Sequence, residues 1–176
     1  RLTQGPGGEG SHRNTAAIDI GARLGTNVYA TFDGTAYAFD TYAAEPSNQG
    51  LIDRTGKSGV YSKSYGKHVV LITNQGFALL FAHLNSHSST LRLGTPVPVT
   101  AGTILGYVGN SGSTTGLQMG MHLHYEYRVP TGNSWQTIRS TNGAQIIGVL
   151  PNETGEAFVF NGTRQVTSCY DASTPQ

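Results

Sequence analysis

Apolar residues in this chain recur at every second position. No stretch repeats them at the 3.6-residue spacing of a capped amphipathic helix. That alternation admits strands and little else. Residues 27–32 (NVYATF) and 35–40 (TAYAFD) flank Asp33-Gly34, which predicts a two-residue hairpin. Residues 67–73 (KHVVLIT) and 77–82 (FALLFA) flank Asn74-Gln75-Gly76, which predicts a second one. Their nearly continuous apolar character predicts central strands buried on both faces. Residues 103–108 (TILGYV) read as a further strand that ends in the turn-forming run Gly109-Asn110-Ser111-Gly112. From Met121 to Val129 the alternation is clean. Met121, Leu123, Tyr125, Tyr127 and Val129 fall on one face, and His122, His124, Glu126 and Arg128 on the other. The expected fold is all-β: a single domain built on an antiparallel β-sheet. Long loops at 41–66 and 110–120 would form a substrate groove.

A chain of 176 residues accommodates one such domain. Residues 1–130 are expected to hold the core. Residues 131–176 form a C-terminal β extension and tail of the same domain, with short apolar runs at 146–150 and 157–160. Eleven Lys and Arg against ten Asp and Glu give a net charge of +1, so the basic excess that phosphate binding demands is missing. Nucleic acid is therefore excluded as a partner. No apolar run reaches the roughly 20 residues of a membrane span. The single cysteine, Cys169, excludes an internal disulfide framework and a Cys-rich zinc site. Few charges and many small polar residues suggest a secreted, periplasmic or cell-wall-associated protein. The triplets Asn152-Glu153-Thr154 and Asn161-Gly162-Thr163 match the glycosylation sequon. The start at Arg1 reads as that of a mature or excised fragment. A monomer is expected.

Chemistry concentrates in a few positions. His122 and His124 stand two apart on a strand, so their imidazoles point to one face while Leu123 anchors the strand from the other. Two nitrogen donors on a rigid strand suit Zn²⁺. Alone, the pair fits equally well two solvated histidines on an exposed face. His12 and Asp19 add to it. Asp19 lies between Ile18 and Ile20, so a strand there turns the carboxylate away from its buried neighbours. One His, one Asp and a second His around Zn²⁺ leave a fourth position for water, the catalytic arrangement rather than the structural one.

In order along the chain stand His12 and Asp19, Gly25-Thr26-Asn27-Val28-Tyr29-Ala30, Asp33-Gly34, Phe81-Ala82-His83-Leu84, the glycine-rich turn with Gly106, Gly109, Asn110 and Gly112, and His122-Leu123-His124-Tyr125-Glu126. This ordered set resembles the lysostaphin-type zinc metallopeptidases, bacterial and phage enzymes that cut peptide cross-links in peptidoglycan. The resemblance covers roughly residues 3 to 129. It implies a zinc metallopeptidase core over 1–130. His12, Asp19 and His124 would ligate Zn²⁺, and His83 and His122 would be the catalytic histidines beside it. The implied function is that of a secreted hydrolase active in cell-wall degradation. It would be a zinc endopeptidase that hydrolyses peptidoglycan cross-links by attack of a zinc-activated water. Two departures stand out. The gap from His12 to Asp19 is seven residues where many members have four, and residues 117–121 lengthen the approach to the His-Leu-His signature.

Other residues carry less. His68 sits within an apolar strand and reads as a core or edge histidine, and His87, in a Ser-rich stretch, as solvated. Glu126 shares the histidine face and either orients an imidazole or meets solvent. Cys169 reads as inert, and Trp135 either packs the tail or lines a binding surface. Two other functions compete. A D-Ala-D-Ala-type zinc carboxypeptidase also carries a His-x6-Asp element, but closes its site with Trp-His, where this chain has Trp135-Gln136. A non-catalytic relative that binds the wall or regulates other enzymes would be expected to have lost ligands.

Overall fold

A computed structural model of the chain describes residues 2–4, 17–40, 65–112, 120–131, 134–137, 148–151 and 157–160. In these segments every strand ladder is antiparallel, and there is no α-helix. The strands are β1 (Leu2–Gln4), β2 (Ala17–Gly21), β3 (Asn27–Tyr29), β4 (Gly34–Asp40), β5 (Lys67–Thr73), β6 (Ala78–His87), β7 (Pro96–Val99), β8 (Ile104–Val108), β9 (His122–Thr131), β10 (Ser134–Thr137), β11 (Gly148–Pro151) and β12 (Ala157–Phe160). Among the described residues, ten of these strands share one sheet. Its spine runs β1-β2-β9-β6-β5-β4-β7, with β10 beside β9, and β8 joining β6 to β3; β11 and β12 pair separately.

The expected β5–β6 hairpin forms. Gly76 takes a φ of 89°, and the Thr73 amide donates to the Phe77 carbonyl at 2.9 Å. Lying between β4 and β9, this hairpin buries both of its faces. Val69, Leu71, Leu79 and Phe81 enter the main core with Ile18, Leu105, Leu123 and Tyr125. Val70, Leu80, Ala78 and Ala82 pack on the opposite face with Phe39. This two-sided burial explains the unbroken apolar runs of the two strands. The sheet ends at β7, whose Pro96 and Pro98 pair with β4 only; proline at an edge withholds donors from further strands.

The hairpin expected at Asp33-Gly34 does not form. β3 pairs with β8, and β4 pairs with β5 and β7. A type I′ turn needs positive φ, which Gly34 does not adopt. Gly34 is instead the first residue of β4, where a Cβ would stand 2.1 Å from the Ile72 carbonyl oxygen. Asp33 is a corner whose Oδ1 accepts the Ala101 amide at 2.8 Å. Met121 departs from its expected core face and is exposed. The loops expected at 41–66 and 110–120 lie mostly outside the described residues, as do the sequons and Cys169. Trp135 lies in β10.

Candidate active site

The β2–β9 register builds the site. Asp19 stands directly opposite His124, and Gly21 opposite His122. Opposed residues of an antiparallel pair hold their Cβ atoms roughly 5 Å apart, so the two side chains meet. Asp19 Oδ1 lies 3.0 Å from His124 Nδ1 and 3.9 Å from His122 Nε2. On the other side of β9, Ala82 of β6 opposes His124, and the small side chain leaves room for the ring. His83 follows. Its ring centroid is 4.9 Å from that of His122 and 5.6 Å from that of His124. Leu123 points the opposite way into the core. Truncating such a leucine costs about 2–5 kcal/mol and would loosen the strand that carries both histidines.

The polar face of β9 is not solvated. His122 and Glu126 are 3% and 1% exposed, and Asp19 is 2% exposed. Buried polar groups must be partnered, and these are. Glu126 Oε2 is 3.4 Å from His124 Nε2 and accepts from the Tyr65 hydroxyl at 3.1 Å. Arg128 reaches Glu126 Oε1 at 3.1 Å and donates to the Tyr65 oxygen at 2.8 Å. Glu126 thus orients an imidazole rather than meeting solvent.

Three histidines divide into two kinds. His83 donates its Nδ1–H to the Ser111 carbonyl at 2.7 Å, and His122 donates its own to the Gly120 carbonyl at 2.9 Å. A carbonyl only accepts, so in the neutral ring each Nε2 keeps its lone pair. Burial holds the His83 pKa down at about 4, helped by the charges of His124 and His122 and opposed by the Ser111 carbonyl. His83 is therefore neutral at pH 7. His124 is the other kind. Burial pulls its pKa down, but the bonds and charges of Asp19 and Glu126 outweigh this and lift it to about 9. Burial likewise opposes the ionised Glu126, yet His124, Arg128 and Tyr65 hold its pKa below the usual carboxylate value.

His124 Nδ1 and Asp19 Oδ1 are hard, anionic or neutral donors that converge from adjacent strands. Two donors on a tetrahedral zinc stand roughly 3.3 Å apart given bonds of about 2.0–2.1 Å. The observed 3.0 Å fits that spacing with little movement. Glu126, on the opposite nitrogen, is placed as the carboxylate that would fix the tautomer of His124 were Nδ1 to hold a metal. Among the described residues no cluster of three metal-ligating side chains occurs. His12, the remaining expected ligand, lies outside the described residues.

Of the expected site residues, Asp19, His83, His122 and His124 come together. His68 is a fully buried core histidine whose Nδ1–H donates to the Gly66 carbonyl at 2.8 Å, and burial pushes its pKa down to about 4. His87 is half-buried: it ends β6, and its Nε2–H lies 3.0 Å from the Phe39 carbonyl and 3.2 Å from that of His68. Tyr65 and Ser111 escaped sequence reasoning: Tyr65 lies 61 residues from the Glu126 it meets, and Ser111 reaches His83 through its backbone carbonyl, which no residue type signals. Arg128 carried a signal, since it alternates onto the histidine face.

The chain matches Peptidase family M23 over residues 13–139. It belongs to that family. M23 peptidases are zinc metallopeptidases. No curated protein sequence matches the chain. Among solved structures, it resembles a mutant catalytic domain of the prophage-encoded M23 protein EnpA from Enterococcus faecalis. The identity is 22% and the TM-score 0.54, over 81% of this chain and 91% of that one. It also resembles the antimicrobial peptidase lysostaphin from Staphylococcus simulans. There the identity is 21% and the TM-score 0.51, over 78% of this chain but 46% of lysostaphin. The M23 fold is common to all three. Among the described residues, no helix is long and apolar enough to cross a membrane.

Proposed function

We propose that this M23 chain is a zinc-dependent endopeptidase that hydrolyses peptide cross-links of bacterial peptidoglycan, acting as a monomer outside the cytoplasm. The observation that carries the reading is the convergence of Asp19 and His124 beside two imidazoles, His83 and His122, each oriented by a backbone carbonyl. His124 Nδ1 and Asp19 would hold the metal with His12. When bound, zinc lowers the pKa of a coordinated water and polarises a peptide carbonyl.

The remaining chemistry belongs to the chain. His122 and His83 stand with ring centroids 4.9 Å apart, each with Nδ1 on a backbone carbonyl and Nε2 left for the reaction. Either takes a proton there and returns it to the leaving amine, as an imidazole near its neutral state can do at pH 7. The other, once protonated, donates to oxyanion charge as it develops on the scissile carbonyl. Glu126 keeps His124 turned so that Nδ1 faces Asp19. Burial of all these groups strengthens each electrostatic contact.

Purified peptidoglycans with glycine bridges, direct cross-links and uncross-linked stems test the reading. Mass analysis of the released fragments is expected to show new amino termini at one bond type. A zinc-loaded chain that releases none from any of them would be a regulator or wall-binding module instead. Release of terminal D-alanine alone would mark a carboxypeptidase.

A further inference from the structure

His83 is the one non-glycine residue among those described with positive φ, at 62°. It lies inside a ten-residue strand, where extended backbone is the rule. The left-handed conformation is strained for a side chain with a Cβ and persists only where the surroundings over-determine it. The ladder shows what it does. Up to Ala82, β6 pairs with β9; from Leu84 onward it pairs with β8. The β5 ladder shifts register at the same place, between Phe81 and Leu84. His83 is the corner at which β6 changes partners, and that corner aims its ring at His122.

One side chain closes this corner. Ser111 Oγ donates to the Leu84 carbonyl at 2.7 Å and accepts the Lys67 amide at 2.9 Å. Leu84 and Lys67 are the β6 and β5 partners at one end of the register shift. The carbonyl of the same residue accepts His83 Nδ1–H. Ser111 packs so closely on Gly66 that a Cβ there would stand 2.5 Å from Ser111 Oγ. Two residues upstream, the Gly109 carbonyl accepts the His122 amide at 3.3 Å. A four-residue turn therefore touches both imidazole-bearing corners.

We propose that Ser111 is a positioning residue for the peptidase reaction: its hydroxyl staples β5 to β6 at the His83 corner, so that its carbonyl fixes His83 as the Nδ1–H tautomer with Nε2 presented to the site. The contact of Asp19 with His124 runs across the β2–β9 pair. The proposal rests on the peptidase reading above for its kinetic consequence only; the tautomer stands apart from it.

The test compares zinc-loaded wild type, Ser111→Ala and Ser111→Thr. Threonine keeps the hydroxyl. In Ser111→Ala, kcat on the peptidoglycan that wild type cuts is expected to fall roughly ten- to hundredfold, as for a misplaced reacting group, with KM and zinc content near wild type and a lowered melting temperature, since the Lys67 amide and the Leu84 carbonyl lose their partner. Ser111→Thr restores kcat. Side-chain ¹⁵N NMR is expected to show His83 protonated at Nδ1 alone in wild type and Ser111→Thr, and a tautomer mixture in Ser111→Ala. An unchanged tautomer and kcat in Ser111→Ala overturn the proposal. So does a Ser111→Thr loss equal to that of alanine. A wild type inactive on every peptidoglycan would overturn the peptidase reading, while the NMR comparison would still decide the role of Ser111.

Discussion

Replacing Glu126 by glutamine removes one charge from the most heavily shared carboxylate in the site and leaves its volume unchanged. Glu126 is 1% exposed, and its two oxygens serve His124, Tyr65 and Arg128. An amide has one acceptor oxygen, and its NH₂ would face donors. Arg128, itself 6% exposed, would lose the carboxylate that stands 3.1 Å from it. Breaking a buried ion pair by deleting one partner costs about 3–5 kcal/mol. That is a large part of a total stability on the order of 5–15 kcal/mol. At roughly 2–4 °C per kcal/mol for a domain of this size, the melting temperature should fall on the order of 10 °C. Zinc affinity should fall as well, by roughly ten- to hundredfold, because His124 loses the acceptor that fixes its tautomer. Tyr65→Phe is the graded control. It removes two hydrogen bonds, one to Glu126 and one from Arg128, and no charge, and should cost about 1–3 kcal/mol. Thermal melts of metal-free protein and competition with a chromophoric chelator read the two effects separately. A Glu126→Gln variant with wild-type melting temperature and wild-type zinc affinity would refute the claim that this network holds His124 in place.

Further outcomes follow from the same geometry. His122→Ala should retain one zinc per chain by elemental analysis yet lose roughly 10²–10⁴-fold in peptide hydrolysis; loss of the metal would instead make His122 a ligand. His12→Ala should abolish zinc binding while the circular dichroism of the sheet is preserved, whereas full zinc content would remove His12 from the ligand set. Without metal, His124 is protonated up to its pKa of about 9, so zinc must displace that proton. Affinity should therefore rise about tenfold per pH unit on this account between pH 7 and 9 and level off above. Calorimetry in buffers of different ionisation enthalpy should register the released proton, and pH-independent binding would contradict it.

How much of this was legible in the sequence follows the range of each interaction. The β5–β6 hairpin is local, and both its turn and its two-sided burial could be read from adjacent residues. So could the shared face of His122, His124, Glu126 and Arg128, since alternation is a property of one strand. The burial of that face was not legible, because Tyr65 reaches it from another part of the chain. Asp33-Gly34 shows the reverse failure. Its local signal is strong, but β3 finds β8 and β4 finds β5 and β7. The glycine serves a close backbone approach rather than a reversed turn. His87 reads as solvated from its serine neighbours, yet the β4 and β5 carbonyls that receive its N–H are 48 and 19 residues away. Asp19 was legible as a strand carboxylate; its register opposite His124 was not.

The central claim is that Asp19 and His124 hold a zinc ion that serves peptide hydrolysis. Its most direct measurement is release of new amino termini from purified peptidoglycan by the full chain as prepared, after zinc removal with a chelator, and after stoichiometric zinc is restored. One zinc per chain is expected, with loss of release on chelation, its return with zinc, and neither metal nor activity in Asp19→Ala. Hydrolysis that persists in the verified zinc-free protein, or in Asp19→Ala, would contradict it.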